Sequence, residues 1–97
     1  VRREEAIASI RPHLPELRRR FGVRQLAVFG SVARDEAAAE SDVDVLVEFN
    51  EPTTFDGYFG VKEALEAILG TRVDLATPAM LKPRVKQEVE REGVRVA

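Results

Sequence analysis

Two aspartates, Asp42 and Asp44, stand one residue apart at the mouth of the apolar run Val43-Asp44-Val45-Leu46-Val47-Glu48-Phe49. Alternate residues of a strand share a face, so this spacing sets both carboxylates side by side. Like charges held that close repel, and a divalent cation is the usual way to make the pair favourable. A third acid, Asp74, lies in the short run Arg72-Val73-Asp74-Leu75. Burying a carboxylate without a partner is costly, so acids placed in apolar strands need an explanation. If the three converge they make a hard oxygen site suited to Mg2+ or Mn2+. Two such ions about 3.5 to 4 Å apart can stabilise both the attacking and the leaving oxygen of an in-line phosphoryl displacement. The residues by themselves leave a second reading open, a structural ion pair of these acids with Arg34 or Arg72.

Gly30-Ser31 is the other pair with chemical potential. Glycine lets the backbone approach a ligand, a helix start directs unpaired N–H groups outward, and the serine hydroxyl adds a donor, so the turn can cradle a phosphate. A simple turn with a serine cap would look the same. Neither G-x-x-x-x-G-K-[ST] nor G-x-G-x-x-G occurs, which argues against the P-loop and Rossmann modes of nucleotide binding.

The elements that must position these residues follow from hydrophobic spacing. Ile7, Ile10, Leu14, Leu17 and Phe21 recur at three and four residues and predict an amphipathic helix ending near Gly22. Pro12 and Pro15 should divide it into two short helices or bend it, because a proline inside a helix removes a hydrogen bond and clashes with the preceding turn. Gln25 to Phe29 reads as a strand, Gly30-Ser31 as a brief helical turn, Ala37 to Ala39 as a loop, and Asp42 to Phe49 as the central strand. Val43, Val45, Val47 and Phe49 form its apolar face; Asp42, Asp44, Leu46 and Glu48 form the other. Phe55 to Leu69 is expected to be a helix with Phe59, Leu65, Ile68 and Leu69 as its buried stripe, stopped by Gly70. Arg72 to Ala76 reads as a third strand, Pro83 to Glu92 as a last helix, and Val94 to Val96 as a short edge strand. The order α-β-α-β-α-β-α describes an α/β or α+β sheet covered by helices.

At 97 residues the chain is expected to form one domain, 1–97, with no room for a separate acceptor-binding domain. No apolar run approaches the roughly 18 residues of a membrane span, Val1 to Glu5 is not the start of a signal peptide, and cysteine is absent, so a cytoplasmic protein is expected. Net charge is only -2, but eight acids and no Lys or Arg fall between Asp35 and Val61. That acidic stretch would repel a polyanion, so no direct nucleic-acid binding is expected. His13 is read as a surface residue, Tyr58 and Met80 as packing residues, although an exposed Tyr58 could accept a nucleotide in self-modification.

Gly30-Ser31-Val32-Ala33-Arg34, six further residues, Ser41-Asp42-Val43-Asp44-Val45-Leu46-Val47, and then Val73-Asp74-Leu75 together resemble the minimal nucleotidyltransferase family, the small branch of the polymerase-beta-like nucleotidyltransferase superfamily. The resemblance implies that superfamily's fold, a small mixed β-sheet covered by helices. It also implies transfer of AMP from ATP, with Mg2+ and two ions expected, to a protein hydroxyl. Gly30 and Ser31 would hold the β- and γ-phosphates, and Asp42 and Asp44 the metal ions. Asp74 would ligate the metal beside the acceptor hydroxyl and favour its deprotonation. Arg34 would either approach the phosphates or brace the loop through Glu36 or Glu40. Asp35 stands where relatives often have glycine. Members of the family serve as antitoxins of HEPN-type toxins, which they neutralise by adenylylating a tyrosine or by binding alone. A catalytically inactive binding module and an enzyme acting on a small molecule such as an aminoglycoside are the alternatives, and homo-oligomerisation is left open.

Overall fold

Pro12 and Pro15 divide the first amphipathic segment as expected: helix α1 runs Arg3–Ile10, a 3-10 turn runs Arg11–His13, and helix α2 runs Leu14–Phe21. Each proline sits in the first turn of its own short segment, where its missing N–H costs no internal hydrogen bond. The two helices still share one buried side, formed by Ala6, Ile10, Leu14 and Leu17. The computed structural model describes residues 1–37 and 42–96; Glu40, Ser41 and most of the expected loop from Ala37 to Ala39 therefore lie outside the described residues.

Strand β1, Val23–Phe29, begins two residues earlier than expected and runs into the short helix α3, Gly30–Ala33. Strand β2 is Val43–Phe49, helix α4 is Phe55–Leu69, strand β3 is Val73–Ala76, helix α5 is Pro83–Glu92 and strand β4 is Val94–Arg95. The sheet order is β3-β2-β1-β4. β2 pairs with β1 antiparallel and with β3 parallel, while β4 pairs antiparallel with β1, so the sheet is mixed.

One face of this sheet is the core. Leu26, Val28, Val43, Val45, Val47, Val73 and Leu75 are buried on it and join Ile10, Leu14, Leu17, Val61 and Leu65 from α1, α2 and α4. The other face carries Asp42, Asp44, Leu46 and Glu48, and its far half lies under Val89 and Glu90 of α5. The alternation therefore separates a packed side from a side free for chemistry.

Two packing expectations are corrected. The buried stripe of α4 is centred on Val61 and Leu65, with Tyr58 and Ile68 one turn to either side, whereas Phe59 is 41% exposed. Residue 59 is one step around the helix from this 58-61-65-68 row, and one step turns a side chain by about 100°. Met80 is likewise 57% exposed; it borders an open groove with Phe55, Phe59 and Thr77. Tyr58 is a packing residue, half-buried, with its hydroxyl donating to the Leu75 carbonyl.

α4 also holds β3 by its backbone. Val43 N–H donates to the Arg72 carbonyl (3.1 Å), so Arg72 faces β2, and by alternation the backbone groups of Val73 and Leu75 face outward. The Glu66 carboxylate accepts the outward Val73 N–H (3.0 Å) while bound by Lys62 (3.0 Å), and Tyr58 takes the outward Leu75 carbonyl. Those two bonds, the Val73 N–H first, hold the Glu66 carboxyl below its usual pKa.

Candidate active site

The register of the strands brings the acids together. Phe29, the last residue of β1, is opposite Asp44 on one side, and Asp74 of β3 is beside Asp44 on the other. In a parallel pair, residues in register point to the same face, so Asp44 and Asp74 are neighbours across two strands. Asp42 shares that face two residues upstream.

Gly30 follows Phe29 immediately and has φ +71, a left-handed conformation that side chains disfavour. A Cβ there would also overlap the Asp44 carboxylate. Both constraints select glycine, and the second shows how closely the backbone of α3 approaches the central acid. Ser31 is not the cap of this turn: the cap position is Phe29, and no side chain caps α3.

Asp44 is half-buried, and its pKa is pushed up to about 6. Burial is the main cause, followed by the charges of Asp74 and Asp42; Arg34 opposes the shift. Asp42 is engaged at 3.5 Å by Arg72, a side chain that is 84% exposed. Asp74 is exposed. Among the described residues no three His, Cys, Asp or Glu side chains stand close enough to hold a metal ion. Two acids are therefore adjacent in register while the third is turned to an arginine, so both readings that the residues left open have a counterpart here. The donor set still fits a divalent cation: hard oxygens only, with the central carboxylate disfavoured as an anion by burial and then by its neighbours, a penalty that a bound cation offsets.

Arg34 is engaged by two carboxylates. It donates from Nε to Glu36 (3.0 Å) and from Nη1 to Glu92 (3.0 Å), and these two carboxylates, Glu92 foremost, raise its pKa. The Glu36 contact matches one sequence expectation; Glu40 lies outside the described residues. Glu92, 58 positions away, gave no signal in the local pattern. Asp35 adopts φ +56, the conformation glycine would take without strain, and its carboxylate accepts the Arg3 N–H (2.9 Å). Aspartate tolerates the left-handed region better than most residues. His13 is exposed and distant in sequence from every one of these groups. No helix among the described residues is long and apolar enough to cross a membrane.

Residues 10–96 match the family described as nucleotidyltransferase domain. The chain is 46% identical over 93 residues to the protein adenylyltransferase MntA of Thermococcus cleftensis, covering 96% of this chain and 94% of that one. It is 40% identical over 90 residues to a Methanocaldococcus jannaschii protein assigned as a protein adenylyltransferase, covering 90% of each. A solved structure assigned as a minimal nucleotidyltransferase superposes with a TM-score of 0.78 at 39% identity, over 97% of this chain and 95% of that one. A toxin-antitoxin structure with AMP-PNP shares the fold, with a TM-score of 0.71 at 19% identity over 90% of this chain and 72% of that one. Matched along nearly its whole length, and carrying its acids on the free face of the mixed sheet, the chain belongs to the nucleotidyltransferase domain family.

Proposed function

We propose that this chain is a protein adenylyltransferase that moves AMP from ATP to a hydroxyl of a partner protein, a tyrosine of a HEPN-type toxin, and so acts as the antitoxin of a toxin-antitoxin pair. The observation that carries the reading is the contact of Gly30 with Asp44, beside Asp74 in register: a phosphate turn laid against a carboxylate pair. The relatives named as protein adenylyltransferases support the reaction, and the toxin-antitoxin structures of the same fold support the partner class.

In this reading Gly30 and Ser31 bind the β- and γ-phosphates. Asp42, Asp44 and Asp74 hold Mg2+, in two sites, and the cation supplies positive charge against the developing phosphate charge. The acceptor oxygen forms a bond to the α-phosphorus, the bond to the α,β-bridging oxygen breaks, and pyrophosphate leaves. Asp74, the exposed acid, takes the acceptor side and receives the hydroxyl proton. A cytoplasmic location belongs to the same proposal.

Neutralisation by binding alone is the second reading, and the Asp42–Arg72 ion pair favours it, since that carboxylate already has a partner. Incubation of the chain with labelled ATP, Mg2+ and its HEPN-type partner separates the two. Label transferred to the partner and lost in Asp44→Ala supports the enzyme; equal labelling with that variant refutes the site. Full rescue from toxicity by an Asp42→Ala, Asp44→Ala double variant supports binding alone.

A further inference from the structure

The turn assigned to the triphosphate, α3, is four residues long. One helical turn has almost no stability of its own, because nucleation is unfavourable and too few hydrogen bonds follow to offset it. It is held from outside, on two sides. On the first, the Arg3 guanidinium donates to the Ala33 carbonyl (3.1 Å) and the Arg3 N–H to Asp35. On the second, Arg34, which ends the turn, is gripped by Glu36 and by Glu92, the last residue of α5.

The two carboxylates do different work. Glu36 is two residues from Arg34 and travels with it. Glu92 belongs to α5, which lies over the acid-bearing face of the sheet and leads directly into β4, paired to β1. Of these two, Glu92 therefore ties the guanidinium to the sheet and its covering helix. Arg34 directly follows Gly30–Ala33 as the cap of α3, so its guanidinium belongs to the phosphate turn it closes. Arginine recognises phosphate as a planar fork, and its direction matters as much as its charge.

We propose that Glu92 is a positioning residue: through Arg34 it fixes the guanidinium beside the phosphate turn, so that a nucleoside triphosphate meets a fork already oriented. The inference rests on the nucleotidyl-transfer reading above. Orientation in advance reduces the ordering cost at binding, so its loss appears in nucleotide affinity rather than in folding.

The test uses the full chain with Mg2+ and a non-hydrolysable ATP analogue. Glu92→Gln should weaken binding about three- to ten-fold, with the melting temperature nearly unchanged because exposed ion pairs contribute little to stability. Glu92→Asp should recover part of the affinity. Arg34→Gln should cost at least as much, and adding Glu92→Gln to it should cost nothing more, since the two act as one unit. Unchanged affinity in Glu92→Gln, or the same loss in the Arg34→Gln background, overturns the inference. A parent chain that binds the analogue but transfers no AMP sinks the catalytic reading alone, whereas one that fails to bind it sinks both.

Discussion

Asp44 is ionised at neutral pH at a cost, and the cost has a sign that can be measured. Its folded pKa of about 6 lies above the ordinary 3.8, so the folded state binds the extra proton between those values. The associated stability is fully present below the lower value and is lost as pH rises through the upper one. In metal-free protein the advantage of Asp44→Asn over the parent, read as a melting-temperature difference, should therefore be larger at pH 7 than at pH 5. Added Mg2+ at pH 7 should narrow that gap by stabilising the parent alone; a gap that ignores both pH and Mg2+ contradicts the assignment. At this scale the sequence was informative wherever chemistry depends on spacing along one strand. The shared face of Asp42 and Asp44 was legible, as was the need for glycine at position 30. The grip of Glu92 on Arg34 was not, since it depends on how the last helix returns to the site, and no local pattern encodes that.

Among the elements, α2 and α4 meet where Gly60 admits the ring of Phe21; a Cβ at residue 60 would overlap that ring. Gly60→Ala gains about 0.5 to 1 kcal/mol of helix propensity but forces the aromatic ring to move, at a typical overpacking cost of about 1 to 3 kcal/mol. Net destabilisation is expected in urea unfolding, relieved by Phe21→Leu; a stabilised Gly60→Ala would show that the ring yields freely. The limits of α4 and α5 agree with those read from proline, glycine and periodicity, since these signals are local. β1 starts earlier than expected because Val23 and Arg24 lack a strong strand pattern and are recruited by pairing, Val23 lying opposite Phe49. Phe59 falls off the buried stripe of α4 because the row at three- and four-residue spacing runs through 58, 61, 65 and 68, and the size of an aromatic side chain does not override that spacing. The valine row of β2, by contrast, carried its own answer.

For the molecule as a whole, the turn after the first helix is tied to the end of the sheet. Arg11, in the turn between α1 and α2, donates to the Val96 carbonyl (2.9 Å), and the Val96 side chain is fully buried. Val96→Ala removes two buried methyl groups and should cost about 1.5 kcal/mol; a variant as stable as the parent would mean that β4 is dispensable to the core. The edge strand expected at Val94 to Val96 is present as β4, whereas the tie from Arg11 to the Val96 carbonyl, 85 positions away, has no local signal. The borders of the sheet carry a further consequence. A guest strand laid on β3 would have to displace Glu66 and Tyr58, and β4 offers only two residues for pairing. Proteins that recruit partners by strand addition leave such borders long and open; here they are closed or short. Among the described residues, then, the sheet leaves little free backbone for a guest strand, and contact with this molecule falls to its side chains.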